Sequence, residues 1–328
     1  MRALIFMVAV MAKLAPAQEQ ATTLATLAQR ADVVVHAAVS AASNPTPAWR
    51  QLTLRTRQVF KGAVGANFAL TEPAGQCCGR SLFALKPGDE RVLFLKRIGP
   101  TLHTIGGGRG VLPTTPALMS HAQALLQATT TNDLGHLLAA NLENPEPRIA
   151  HDAAMALATL PNLSLTSAER DAVARSLGLA VQRGSTKTAA LADVAARLGD
   201  SVTIDAVLPI YINARRQDQA SLLRKALARC SPTLVAERMP IHVGTAPRAN
   251  LRAAVLLTDL PPTEGHAAMA NLLSRPVHPK VKMRLCEGLL AAGVSQESLK
   301  PMVPATVLEM AVSRRKAPPT LRNIDPRR

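Results

Sequence analysis

The chain has 328 residues, room for about two domains. Hydrophobic residues make up 48% and charged ones 18%, which excludes a wholly disordered chain. Aromatics are only 2%, which excludes a base-stacking platform or a carbohydrate-stacking groove, while a net charge of +16 leaves room for an anion-binding surface.

The chain opens with Arg2, an apolar run from Ala3 to Met11 and a small-x-small site at Ala15-Pro16-Ala17. This tripartite pattern predicts a secretory signal peptide over residues 1–17, cleaved after Ala17, and a periplasmic or secreted mature protein. The apolar run is far shorter than the ~20 residues of a membrane span. No other segment is apolar enough, so no transmembrane span is expected in the mature chain.

Residues 18–114 read as a small β domain. Thr22–Arg30 is a short helix with Leu24 and Leu27 on one face. Strands follow at Asp32–Val39, which is apolar and β-branched, and at Leu52–Arg57, which alternates apolar with polar. Further strands are read at Phe68–Thr71, Arg91–Lys96, Leu102–Ile105 and Val111–Leu112, with turn chemistry at Lys61-Gly62, Pro73-Ala74-Gly75 and Lys86-Pro87-Gly88-Asp89. Arg91–Lys96 has too few polar positions for an exposed face. Gly106–Gly110 lacks the spacing of a phosphate loop and is read as a hairpin loop. Short strands at roughly ten-residue spacing favour a small barrel or sandwich.

Ala31-Asp32-Val33-Val34-Val35, Phe60-Lys61-Gly62 and Pro87–Leu95 together resemble secreted bacterial domains related to the netrin-like, or tissue-inhibitor-of-metalloprotease-like, OB barrel. The resemblance covers about residues 22–113 and implies the fold. In the animal inhibitors a Cys at the mature N-terminus ligates the protease zinc. Gln18 stands there in this chain, so inhibition by that chemistry is not implied.

From residue 115 to 312 the pattern is Ala/Leu-rich and helical. Pro147–Leu157, Pro247–Leu257 and Pro279–Leu289 each begin with Pro and a basic residue and continue into an apolar helix. Weaker helices at Ala189–Leu198 and Leu222–Cys230 fill the gap, giving a repeat of roughly 30–38 residues. Partner helices lie between, including Leu165–Arg183, opened by a Thr166–Glu169 capping box. This pattern resembles HEAT or HEAT-like repeats, and paired helices at such a period imply an α-solenoid. Residues 313–328 read as a basic, disordered tail suited to contact with an anionic envelope surface.

The charge is unevenly spread: +6 over residues 18–114, +3 over 115–312 and +5 over 313–328. Arg148, Arg248, Arg252, Lys280, Lys282 and Arg284 recur near the starts of matching helices and form a candidate stripe for another protein, of acidic character. Adjacent Cys77 and Cys78 are candidates for a disulfide, as an alternative to free thiols. Cys230 and Cys286 lie two repeats apart and read as small buried hydrophobes. The histidines form no i,i+4 pair, and His151-Asp152 is read as part of an exposed polar face. No nucleophile elbow, Walker loop or zinc motif is present.

These readings give an α+β, multidomain chain: a small N-terminal OB-like β-barrel or sandwich, then an all-α HEAT-like solenoid. The expected function is non-enzymatic and cofactor-free, that of an exported protein-binding scaffold. The alternatives are a nucleic-acid-binding basic solenoid, disfavoured by the nearly balanced charge of the helical region, and a netrin-like protease inhibitor.

Overall fold

The computed structural model describes residues 23–46, 49–73, 85–244 and 246–316, except the side chains of residues 45, 46, 49, 72, 73 and 316. The expected signal peptide, the Cys77–Cys78 pair and the tail beyond residue 316 lie outside the described residues. The chain divides into two compact units, Met1–Pro161 and Asn162–Arg328.

In the first unit, helix α1 (Leu24–Arg30) starts at Thr23, whose hydroxyl accepts from Thr26 N at 3.2 Å. It leads into β1 (Val33–Thr46), β2 (Trp49–Lys61), β3 (Asn67–Pro73), β4 (Glu90–Ile98), β5 (Thr101–Thr104) and β6 (Val111–Pro113). The strands run β1-β2-β3-β5-β4, and β4 returns to pair with β1, which closes the barrel. All pairings are antiparallel except β3 with β5. Four register shifts along β1 supply the bending that lets one strand serve both β2 and β4.

The period-2 pattern of β1 explains the core. Val33, Val35, Ala37 and Val39 join Leu52, Leu54, Leu70, Leu93, Leu95 and Leu102 in one cluster. Val34, Val92 and Phe94 are buried as well, so β4 is buried on both faces, as its missing polar positions predict. Helix α1 packs on β4, on α2 (Pro116–Gln127) and on α4 (Pro147–Leu157); α3 (Thr131–Ala140) lies between α2 and α4 in the chain.

The glycine run is not a hairpin loop. Strands β5 and β6 do not pair with each other; both lie on the same edge of β4, at Leu95–Ile98 and Arg91–Leu93. Gly106–Gly110 is an excursion that leaves and rejoins this edge through a short 3-10 turn. Gly106 (φ 68°) and Gly107 (φ 54°) make the left-handed bends that such a departure requires.

The second unit consists of α5 (Ser167–Arg183), α6 (Lys187–Leu198), α7 (Ser201–Asn213), α8 (Gln217–Leu227), α9 (Pro232–His242), α10 (Pro247–Asp259), α11 (Pro262–Leu273), α12 (Pro279–Ala291), the short α13 (Gln296–Leu299) and α14 (Ala305–Lys316). The expected capping box forms: Thr166 N donates to Glu169 Oε2 at 2.8 Å, and Glu169 N donates to Thr166 Oγ1 at 3.4 Å. Helices α5, α7, α9 and α11 pack in sequence as one layer. In the other layer α6 packs on α8, and α10 packs on α12. Corresponding helices start about 30–34 residues apart, which makes this a solenoid-like array. Pro209 in α7 and Pro240 in α9 occupy the same place in their helices. The Pro240 carbonyl accepts from Arg275 Nη1 at 2.9 Å, and that of Pro209 from Asn213 Nδ2 at the same distance. The final helix extends past residue 312, so Ser313–Lys316 are helical rather than part of a disordered tail.

Candidate partner-binding surface

Three of the six candidate cations stand where they could meet a partner. Arg248 and Lys280 are exposed at the first turns of α10 and α12, and Lys282 is half-buried beside Lys280. The starts of α6, α8, α10 and α12 share one edge of the array, because alternate helices run the same way. That edge also carries Lys187 at the start of α6, and Arg215 and Arg216 just before α8. Sequence reading missed these three because it began the α8 repeat at Leu222 and the α6 repeat at Ala189. The signal was available as a basic residue ahead of each helix, without the proline.

The pairing state of this rim sets it apart. Elsewhere arginines and carboxylates tie neighbouring helices together: Arg170–Asp200 at 2.6 Å, Arg229–Asp193 at 2.5 Å, Arg224–Asp259 at 2.9 Å and Arg238–Asp205 at 3.2 Å. On the rim only Arg216 is so matched, by Asp218 at 2.6 Å. Among the described residues no carboxylate stands within ion-pair distance of Lys187, Arg215, Arg248, Lys280 or Lys282. Arg248 Nη2 donates instead to the Arg215 carbonyl at 2.9 Å, which holds its guanidinium at the surface. Cations at helix N-termini oppose the helix dipole by about 0.3–1 kcal/mol each, so the local fold gains nothing from them.

The other three candidates are not surface groups of this rim. Arg252 is buried, with only 8% of its surface exposed. Its Nη1 donates to the carbonyls of Tyr211 and Ile212, both at 3.3 Å, and to that of Ala214, closing the C-terminal end of α7. Tyr211 returns the contact, its hydroxyl donating to the Arg252 carbonyl at 3.0 Å. Burial lowers the Arg252 pKa and raises that of the Tyr211 phenol. Arg284, at the equivalent place in α12, donates from Nη1 to Glu287 Oε2 at 2.9 Å; Arg314 Nη1 stands 3.7 Å from the other oxygen of Glu287. Arg148 belongs to the first unit, where its Nε donates to Asp152 Oδ2 at 2.7 Å.

Asp152 is buried, contrary to the exposed face expected for His151-Asp152. Burial raises its pKa, and the charges of Arg148, His151 and Arg109 act in the opposite sense. Arg109, exposed on the glycine excursion, adds its charge to that neighbourhood.

Cys230 and Cys286 are free and buried, as expected, and burial pushes both thiols up to about 11. A cavity of about 10 Å3, lined by Ala195, Ile204, Val207, Ala226, Leu227 and Cys230 among others, lies between α6, α7 and α8. That is about the volume one water requires. Among the described residues no group of three His, Cys, Asp or Glu side chains is placed to hold a metal ion, and no helix is long and apolar enough to cross a membrane. No family model, no curated protein and no solved structure matches the chain.

Proposed function

We propose that the protein is an exported, non-enzymatic binding protein whose helical array presents its basic rim to an acidic protein partner. The observation that carries this reading is the contrast in pairing: the faces joining repeats have matched charges, and among the described residues the rim cations other than Arg216 have no acid within ion-pair distance. Charge complementarity on such a surface sets orientation and speeds encounter. A HEAT-like assignment of the array is supported by its two layers, its repeat of about 30–34 residues and the equivalent prolines at 209 and 240. An OB-like assignment of the barrel is supported by the order β1-β2-β3-β5-β4-β1 with β3 and β5 parallel. The netrin-like kinship rests on the sequence motifs, and Gln18 in place of a cysteine counts against zinc-directed inhibition.

Two experiments test the reading. The intact mass of product from the periplasmic fraction should begin at Gln18; a mass two hydrogens lower would place a disulfide at Cys77 and Cys78. A photo-crosslinking residue at Lys187 should trap a protein in the native host, and the same residue at Arg55 on the barrel should not. Adducts with nucleic acid, or none at the rim, would overturn the reading.

A further inference from the structure

We propose that the turn between α7 and α8, with the first turns of α10, forms a site for a phosphate-type dianion, held by Arg215 and Arg248 above the buried charge of Arg252. This goes beyond the protein-partner reading, because a free anion can fill the site whether or not a protein docks on the rim. Helix α10 packs on α7. Two of its arginines, four residues apart and so on one face of the helix, reach consecutive carbonyls of that turn. Arg252 Nη1 donates to the Ala214 carbonyl, and Arg248 Nη2 donates to the Arg215 carbonyl at 2.9 Å. Arg215 itself is exposed on the same turn.

Carbonyls accept these N–H groups without cancelling any charge. Among the described residues no carboxylate stands within ion-pair distance of Arg215, Arg248 or Arg252, so three positive charges meet at one turn uncompensated. Burial lowers the Arg252 pKa, and the charge of Arg248 lowers it further. Arg252 is buried, and its Nη2 has no hydrogen-bond partner. The start of α10 adds to the field, since Ala246 at its N-cap has no side-chain oxygen to offer the first-turn N–H groups. Arg248, fixed through Nη2, keeps Nη1 and Nε for a ligand, and a preorganised guanidinium loses less entropy on binding. A single carboxylate would balance only one of the three charges. A phosphate dianion balances two, and its tetrahedral oxygens can accept from two guanidinium forks at once. A nucleic-acid phosphate, being a diester, brings only one charge.

The test titrates the full chain with small anions by calorimetry, at constant ionic strength and about pH 8, where a phosphate monoester is a dianion. Inorganic phosphate should bind saturably, with a Kd of about 1 mM or tighter. Dimethyl phosphate, the same tetrahedron with one charge, and acetate should each bind at least about tenfold more weakly. Glycerol phosphate separates two sources of the group. Binding equal to that of phosphate means that the site takes a phosphoryl group carried on a larger molecule; binding at least about tenfold weaker means that it takes the free ion. Arg215→Gln and Arg248→Gln should each weaken phosphate binding about five- to tenfold. Lys280→Gln, at an exposed rim cation of α12, should leave it unchanged. Arg252→Met should weaken it by a similar factor and Arg252→Lys by less, because this charge acts from beneath the ligand. Circular dichroism checks folding, and the two surface variants decide the matter if the Arg252 variants do not fold. Equal weakening by Lys280→Gln, equal affinity for phosphate and dimethyl phosphate, or no saturable binding would overturn the proposal. Crosslinking at Lys187 is read separately, so the loss of this site leaves the protein-partner reading standing.

Discussion

His121 in α2 is buried, its Nε2 has no hydrogen-bond partner, and burial lowers its pKa from 6.5 to about 4. The consequence for pH follows from the sign of that shift. Above pH 6.5 the ring is neutral folded or unfolded and contributes no pH dependence. As pH falls from 6.5 towards 4 the unfolded chain takes up the proton and the folded one does not, so stability drains away by at most about 3 kcal/mol. His121→Leu should therefore narrow the gap in urea-unfolding free energy between pH 7 and pH 4.5; an unchanged gap would refute the burial argument. Arg252 gives the complementary case. Arg252→Met removes the donor to three carbonyls at the end of α7 and should cost about 2–3 kcal/mol by chemical denaturation. Arg248→Met, one turn earlier and exposed, should stay within about 0.5 kcal/mol. Equal effects would mean that the two arginines have been assigned the wrong roles.

Among the described helices of the second unit, a close approach occurs where α10, α11 and α12 meet. A Cβ on Gly288 would lie 2.5 Å from Thr258 Cγ2 and 2.6 Å from Met269 Sδ. Alanine gains about 1 kcal/mol of helix propensity, and the methionine can swing aside. The β-branched threonine cannot, so Gly288→Ala should lose about 1–2 kcal/mol net, read as a lower denaturation midpoint at constant slope. The elements themselves were largely legible in the sequence. Alternation in Val33–Val39 and Leu52–Arg57, and the Pro-led helices, carry their own periodicity and reappear as strands and helices. What was not legible depended on which side of a helix meets its neighbour. Arg252 was read as surface because it follows Pro247-Arg248, yet it shares the i, i+3, i+7 face of buried Ala249 and Leu256. The glycine excursion was misread for a similar reason: composition marks a loop, and only pairing tells whether the flanking strands bond to each other or to a third.

At the scale of the molecule, Met1–Pro161 and Asn162–Arg328 are two compact units. Two calorimetric transitions are expected. Arg252→Met and Gly288→Ala should lower one, and His121→Leu should move only the other. A single transition shifted by all three would show that the units unfold as one. The charge distribution also belongs to this scale. The described array is nearly balanced in total, yet four ion pairs tie its helices together while most cations along one edge have no carboxylate within ion-pair distance.

The fate of the fifth residue after each helix-opening proline has a consequence for how the array could be rebuilt. Arg284 carries its acceptor, Glu287, on its own helix; Arg252 depends on carbonyls at the end of α7, three helices before it. The Arg284–Glu287 pair therefore travels with α12 if that helix is duplicated or moved. A segment built around α10 is addressed to a single predecessor. Shuffling the repeats would leave a guanidinium stranded wherever that address is broken, so the order of the modules is written into the protein's interior as well as into its chain.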